Sequence, residues 1–307
     1  MAAVIDTGLI TKGLRSEFFS RFEAAPVLYR DLTTRIVSTS DRETYRWLGA
    51  VPQMREWGAG RLARGVRSES YSIENLKYEA TIEVDRDELA DDQTGQIRLR
   101  IAELAMRAAT HKDFLISQLL IGGESTGLAY DGVAFFSDAH ASGSSGAQNN
   151  KLSSEAVAPE SPSIDEFKAA LKAAIAAMLS FRDDVGEPMP IGASGLVCLV
   201  PPTLLFTALE ALNATVVGNA SNVLQGVARV ASLSWLSDPT TWYLLKTDAF
   251  IRPFIFQDRE PVEFTALTEG SDEGFRREKY LFGARARYRL TYGYWQFAVR
   301  SKFVEAS

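Results

Sequence analysis

Between Tyr45 and Leu89 the chain makes a long excursion with little core of its own, and any fold must find a place for it. The segment opens aromatic, as Tyr45-Arg46-Trp47-Leu48-Gly49-Ala50-Val51-Pro52. It runs through Met54-Arg55-Glu56-Trp57 into a basic stretch carrying Arg61, Arg64 and Arg67. It closes on strict alternation, with Leu76, Tyr78, Ala80, Ile82 and Val84 on one face and Lys77, Glu79, Thr81 and Glu83 on the other. A period of two predicts a half-buried strand. Residues 43–51 have the composition of its antiparallel partner, and Gly58, Gly60 and Gly65 mark a tip between them. A hairpin-like loop whose tip cannot bury itself is expected to lie on something else.

The other elements mix helix and strand. Ile97, Ile101, Leu104, Ala108, Leu115 and Leu119 form a stripe at helical spacing. The helix is opened by Asp91-Asp92-Gln93-Thr94 and stopped by Gly122-Gly123. At 1.5 Å per residue it is a rod of roughly 37 Å. Ser163-Ile164-Asp165-Glu166 reads as a capping box. It starts a second helix with Phe167, Leu171, Ala174, Ile175, Met178 and Leu179 on one face. Leu196-Val197-Cys198-Leu199-Val200 reads as a buried strand, and Pro201-Pro202 leads into a helix over Thr203–Leu212. Strand-like pieces follow at Ala228–Leu236, Thr241–Lys246, Arg252–Gln257 and Pro261–Ala266. Lys279–Arg300 reads as one long strand or two. Residues 141–162 read as a surface loop. In residues 1–40, Phe18, Phe19 and Phe22 can form one apolar helical turn. The rest is either an extended arm or an ordinary segment packed on its own domain. Without regular βαβ alternation, the class is α+β.

At 307 residues the chain can bury roughly 75% of its unfolded surface. No apolar run approaches the ~20 residues of a membrane helix. The N-terminus lacks the pattern of a signal peptide, so synthesis in the cytoplasm is the expectation. The net charge of -6 argues against a dedicated nucleic-acid binder and is compatible with a container for nucleic acid.

Signs of chemistry are sparse. His111 and His140 lack metal-ligand spacing. The single cysteine, Cys198, sits mid-strand like a small buried hydrophobe. Gly192-Ala193-Ser194-Gly195-Leu196 fails the nucleophile-elbow pattern at its last position. Gly122-Gly123-Glu124-Ser125-Thr126-Gly127 reads as a helix stop and turn. Asp85, Asp87, Glu88, Asp91 and Asp92 form one dense carboxylate cluster, either a solvated strand end and helix start, a cation site, or the acid/base pair of a hydrolase.

In order along the chain, Glu23-Ala24-Ala25-Pro26, Tyr45 to Trp57, Val84-Asp85-Arg86-Asp87, Tyr130-Asp131-Gly132 and Phe135-Phe136-Ser137-Asp138 with His140 resemble the major head subunit of Mu-like tailed bacteriophages, the T-type major capsid protein. The resemblance covers most of the chain, more loosely after residue 150. It implies a Hong Kong 97-like capsid fold. Residues 1–40 would be the N-arm and 41–84 the extended E-loop. Residues 85–160 would be the peripheral domain with its spine helix, 161–261 the axial domain, and 262–307 the return to the peripheral domain with the C-terminal strand. The implied function is a major capsid protein that self-assembles, as pentamers and hexamers, into an icosahedral head shell. That shell encloses double-stranded DNA without sequence specificity and is assembled in the host bacterial cytoplasm. A separate scaffold protein and a portal protein are implied partners; no cofactor, metal or membrane is. Expected inter-subunit contacts are Trp47, Arg55, Trp57, Arg61, Arg64, Arg67, Asp85, Asp87, Asp91 and Asp92, with the basic tip meeting an acidic surface on a neighbour. The rival readings are an encapsulin-like compartment shell and, in another class, a carboxylate-dependent hydrolase.

Overall fold

The computed structural model describes residues 7–45, 71–90, 95–141, 143–217 and 220–306. The loop tip with Gly58, Gly60 and Gly65, and the acidic helix start at 91–94, lie outside the described residues.

The first half of the chain contains α1 (Thr7–Ala24), α2 (Tyr29–Leu32), β1 (Thr33–Val37), β2 (Arg42–Tyr45), β3 (Tyr71–Glu74), β4 (Leu76–Asp85), α3 (Arg86–Ala90), α4 (Gln96–Gly122) and β5 (Lys151–Ala156). Then come α5 (Ile164–Ser180), β6 (Leu196–Val200), α6 (Leu205–Asn213), β7 (Val216–Val217), β8 (Ala220–Ser221), β9 (Ala228–Ser232) and β10 (Thr241–Lys246). The chain closes with β11 (Phe254–Leu267), α7 (Asp272–Arg277), β12 (Lys279–Tyr292) and β13 (Ala298–Glu305). Two larger sheets organise them, ordered β1-β11-β12-β4 and β5-β13-β10-β6-β9.

The four-stranded sheet is backed by α1 and α4. Leu14 and Phe18 of α1 and Ile97, Ile101, Leu104 and Ala105 of α4 bury against Val84, Phe264 and Phe282. Phe18 stacks on Phe22 and tilts onto Phe264. Residues 7–24 therefore form a helix packed on the four-stranded sheet and not an extended segment. Helix α4 has 27 residues, about 40 Å of rod. Its stripe follows the sequence expectation to Leu104, then turns one position to Ala105, Ala109, Ile116 and Leu120. Ser125, Thr126 and Gly127 all donate backbone N–H groups to Gly122 O, closing the helix as expected. Gly127 lies under the Tyr292 ring, where an added Cβ would overlap the phenol.

The five-stranded sheet is covered by α5 and α6. The capping box of α5 is present: Glu166 N donates to Ser163 Oγ at 3.3 Å and Ser163 N to Glu166 Oε2 at 2.7 Å. Phe167, Leu171, Ala174 and Met178 face the sheet, whose strands β6 and β10 are buried throughout.

Two strand expectations need correction. The strand at 76–84 pairs antiparallel with β12, and the described part of its expected partner, β2, pairs instead with β3. Arg252–Gln257 and Pro261–Ala266 belong to one bent strand, β11, whose register against β12 shifts between Asp258 and Glu263. Pro261 has no N–H to give the ladder and sits at that bulge, which imitates a break in the sequence. Of the two readings of Lys279–Arg300, one long strand or two, the second holds: β12 lies beside β4, and β13 lies between β5 and β10. The greater part of that stretch, β12, thus joins the sheet backed by α4, and β13 joins the sheet of β6 and β10. β5, within the stretch read as loop, is an edge strand parallel to β13.

Candidate subunit-contact surface

The root of the long excursion is the β2–β3 ribbon. Tyr45 pairs with Tyr71, so the intervening residues leave and return at one place. The β2–β3 ribbon packs on the face of β11 that carries Ile255 and Gln257, where Tyr45, Ile73 and Ile255 bury together. Phe254 and Phe256 point to the opposite face and join the large core. This two-sided covering leaves Gln257 with no exposed surface.

A buried polar group needs partners, and here each finds one. Tyr45 Oη donates to Gln257 Oε1 at 2.6 Å. Gln257 Nε2 donates to Asn75 Oδ1 at 2.8 Å and to Ile73 O at 3.3 Å. Asn75 Nδ2 donates to Ser38 Oγ and Ser40 O, both at 2.9 Å. Ser38 Oγ, Thr39 N and Ser40 N all donate to Glu43 Oε1, at 3.0, 2.8 and 3.1 Å. The Thr39 amide, then the Ser38 hydroxyl, hold the Glu43 carboxyl below its ordinary range. Burial pushes the Tyr45 phenol up to about 12, so it remains a donor. The excursion therefore leaves from a root fastened to the central strand β11. Sequence reading missed Gln257 and Asn75; the available signal was an amide in each of two otherwise β-rich segments.

Trp47, Arg55, Trp57, Arg61, Arg64, Arg67, Asp91 and Asp92 lie outside the described residues. Asp85 and Asp87 are described. Asp87 N donates to Asp85 Oδ1 at 2.9 Å, and Lys279 Nζ lies 3.4 Å from Asp85 Oδ2 and 3.7 Å from Glu83 Oε1. The Asp87 amide, then Lys279, lower the Asp85 pKa. Arg100 lies 3.7 Å from Glu88. Asp85 thus closes a strand end and opens α3, with a cation from its own subunit. This is the geometry of the solvated strand-end reading.

The other chemical candidates are packed into the fold. Among the described residues no three His, Cys, Asp or Glu side chains group for a metal. His111 Nδ1 lies 2.6 Å from Tyr288 Oη. His140 is buried, 2.6 Å from Asp131 and stacked on Trp295 at 4.0 Å. Cys198 has no exposed surface, and burial pushes its thiol pKa up. Large apolar side chains, by contrast, stand in solvent on separate elements: Phe206 on α6 at 72% exposure, Phe250 after β10 at 93% and Phe275 on α7 at 89%.

The family model described as "Mu-like prophage major head subunit gpT" matches residues 8–163, 163–236 and 237–304. The major capsid protein of Escherichia phage Mu is 27% identical over 289 residues, covering 94% of this chain and 70% of that protein. The Mu-like prophage FluMu major head subunit of Haemophilus influenzae is 24% identical over 287 residues, covering 93% and 70%. Among solved structures, the procapsid of bacteriophage JBD30 matches with a TM-score of 0.58 at 25% identity, covering 99% of this chain and 77% of that one.

Proposed function

The chain belongs to the Mu-like prophage major head subunit family, and from that premise we propose how its parts serve a shell. It is a major capsid protein with the Hong Kong 97-like capsid fold, and it forms the icosahedral head shell of a Mu-like phage. In the proposed assembly, pentamers and hexamers of the chain enclose double-stranded DNA, with a separate scaffold protein and a portal protein as partners, in the bacterial cytoplasm. The chain works as a structural part without turnover. Residues 1–40 serve as the N-arm and 41–84 as the E-loop. The four-stranded sheet with α4 serves as the peripheral domain, and the five-stranded sheet with α5 and α6 serves as the axial domain.

The observation that carries the assignment of the E-loop is its root. A subunit that fastens the base of a long excursion through Tyr45, Gln257 and Asn75 fixes its direction of departure. A neighbour can then receive Trp47, Arg55, Trp57 and the three arginines in a reproducible place. The exposed phenylalanines on α6, α7 and the loop after β10 support further contacts, since isolated subunits gain nothing by exposing them. Asp85 contributes less to such contacts than Asp87, because Lys279 already neutralises it.

Negative-stain microscopy of the purified chain, with and without candidate scaffold proteins, tests the reading. Pentamers, hexamers or closed shells are expected. A compact monomer that persists at high concentration with scaffold present would overturn it.

A further inference from the structure

A cavity of about 470 Å³ opens between α1, α2, α4 and the four-stranded sheet, a volume typical of small-molecule sites. Its walls are aromatic and its base holds a cation. The Lys112 ammonium lies 4.8 Å from the Tyr288 ring centroid, 5.1 Å from Tyr29, 5.4 Å from Phe22 and 5.5 Å from Phe256. Lys112 is only 3% exposed. Ring faces attract an ammonium but offer its three N–H groups no lone-pair acceptor of ordinary strength. Among the described residues its Nζ has neither a hydrogen-bond acceptor nor a carboxylate within 4 Å.

The nearby acids are otherwise engaged. Asp258 accepts from Arg35 at 2.6 Å. Glu260 is held by Arg285 at 2.8 Å and Arg287 at 2.9 Å. Asp113, next along α4, accepts the Leu28 and Tyr29 amides at 2.7–3.1 Å. Arg30 stacks on Tyr29 at the rim and adds a further positive charge. The Lys112 ammonium opens into the cavity, and a charged donor short of protein acceptors gains from one placed there. The cavity supplies the space for an acceptor to enter.

We propose that this cavity binds a carboxylate carried on a flat apolar body, with the carboxylate accepting from Lys112 Nζ and the body lying among Phe22, Tyr29, Phe256 and Tyr288. The carboxylate comes either from a free aromatic acid or from an acidic residue that a neighbouring copy presents beside an aromatic side chain. Both share the same chemistry at Lys112. A neutral amide of the same shape lacks the charge and is not retained.

The probe is 4-fluorobenzoate, titrated into the unassembled subunit at pH 7 and followed by ¹⁹F NMR. Burial lowers the Lys112 pKa to about 8, so the ammonium is mostly protonated there. Saturable line broadening is expected, with none for 4-fluorobenzamide. K112M should bind at least about tenfold more weakly, the loss of one charge-assisted hydrogen bond. If K112M does not fold, Arg30→Gln at the exposed rim should still weaken binding several-fold. Assembled shells separate the two sources. Binding retained in shells points to a free carboxylate, and binding lost only on assembly points to a neighbour's acidic residue. No saturable broadening with the wild-type subunit, or equal binding by folded K112M, would overturn the proposal.

Discussion

Tyr45→Phe removes one hydroxyl and no carbon, so it tests the root network with little change in packing. The hydroxyl donates to Gln257 Oε1 at 2.6 Å, and Gln257 has no exposed surface. In the variant that oxygen faces a ring edge. The amide cannot turn over to help, because its Nε2 is held by Asn75 Oδ1 at 2.8 Å and Ile73 O at 3.3 Å. A buried acceptor left without a donor costs about 1–3 kcal/mol. Taking about 2 kcal/mol, the opening equilibrium of the root should rise roughly 30-fold. Hydrogen exchange read by mass spectrometry on peptides covering 42–45 and 71–75 should speed up by that factor, while peptides from β6 and β10 keep their rates. Gln257→Leu should cost more, since it strands both the Tyr45 hydroxyl and the Asn75 carbonyl. The double variant should then be less destabilised than the sum of the singles by at least about 1 kcal/mol, the signature of directly coupled groups. Exchange within about twofold of wild type, or strict additivity, would refute the claim that this network fastens the root.

Three further outcomes are expected. Ser163→Ala removes the acceptor for Glu166 N and should lower stability by about 1 kcal/mol in urea unfolding, with Ser163→Gly milder. Lys112 titrates near 8 in the fold against 10.5 unfolded, so the unfolded chain binds the extra proton between those values; wild-type stability should rise relative to K112M from pH 8 to 10.5 in urea midpoints, and a flat difference would contradict the burial of the charge. Replacing Arg61, Arg64 and Arg67 together with glutamate should block shell formation in sedimentation while leaving the subunit folded by circular dichroism; normal assembly at low and high salt would show these arginines to be dispensable for contact.

The helices α4 and α5 were legible because each spends its apolar residues at one spacing and ends on Gly122 or begins on Ser163. β4, β6 and β10 were legible for the same reason at a period of two or in a short solid run. Two strands of the larger sheets that escaped notice, β1 and β5, lie at sheet edges. β5 buries only Ala156, and in β1 only Thr33 is buried, so neither carries an apolar signal. Their partners are distant in sequence, and both are parallel pairs, which leave no hairpin turn to find. The bulge in β11 hid continuity in the same way, through a proline that the sheet tolerates only by shifting register.

The contact surface is harder to read for a different reason. Phe206, Phe250 and Phe275 are identical in letter to Phe167, Phe254 and Phe282, and only the fold separates the three in solvent from the three in the core. Gln257 is the reverse case. Between Phe256 and Asp258 it reads as the outward position of a half-buried strand. The β2–β3 ribbon then covers that outward face and makes the glutamine internal. Lys112 likewise occupies a helix position one step beyond the apolar stripe, and becomes buried only because α2, β11 and β12 close around it. Each of these residues takes its role from a second layer laid over the first. A sequence pattern reports one face of one element, so roles created by the covering layer emerge only when the layers are placed together.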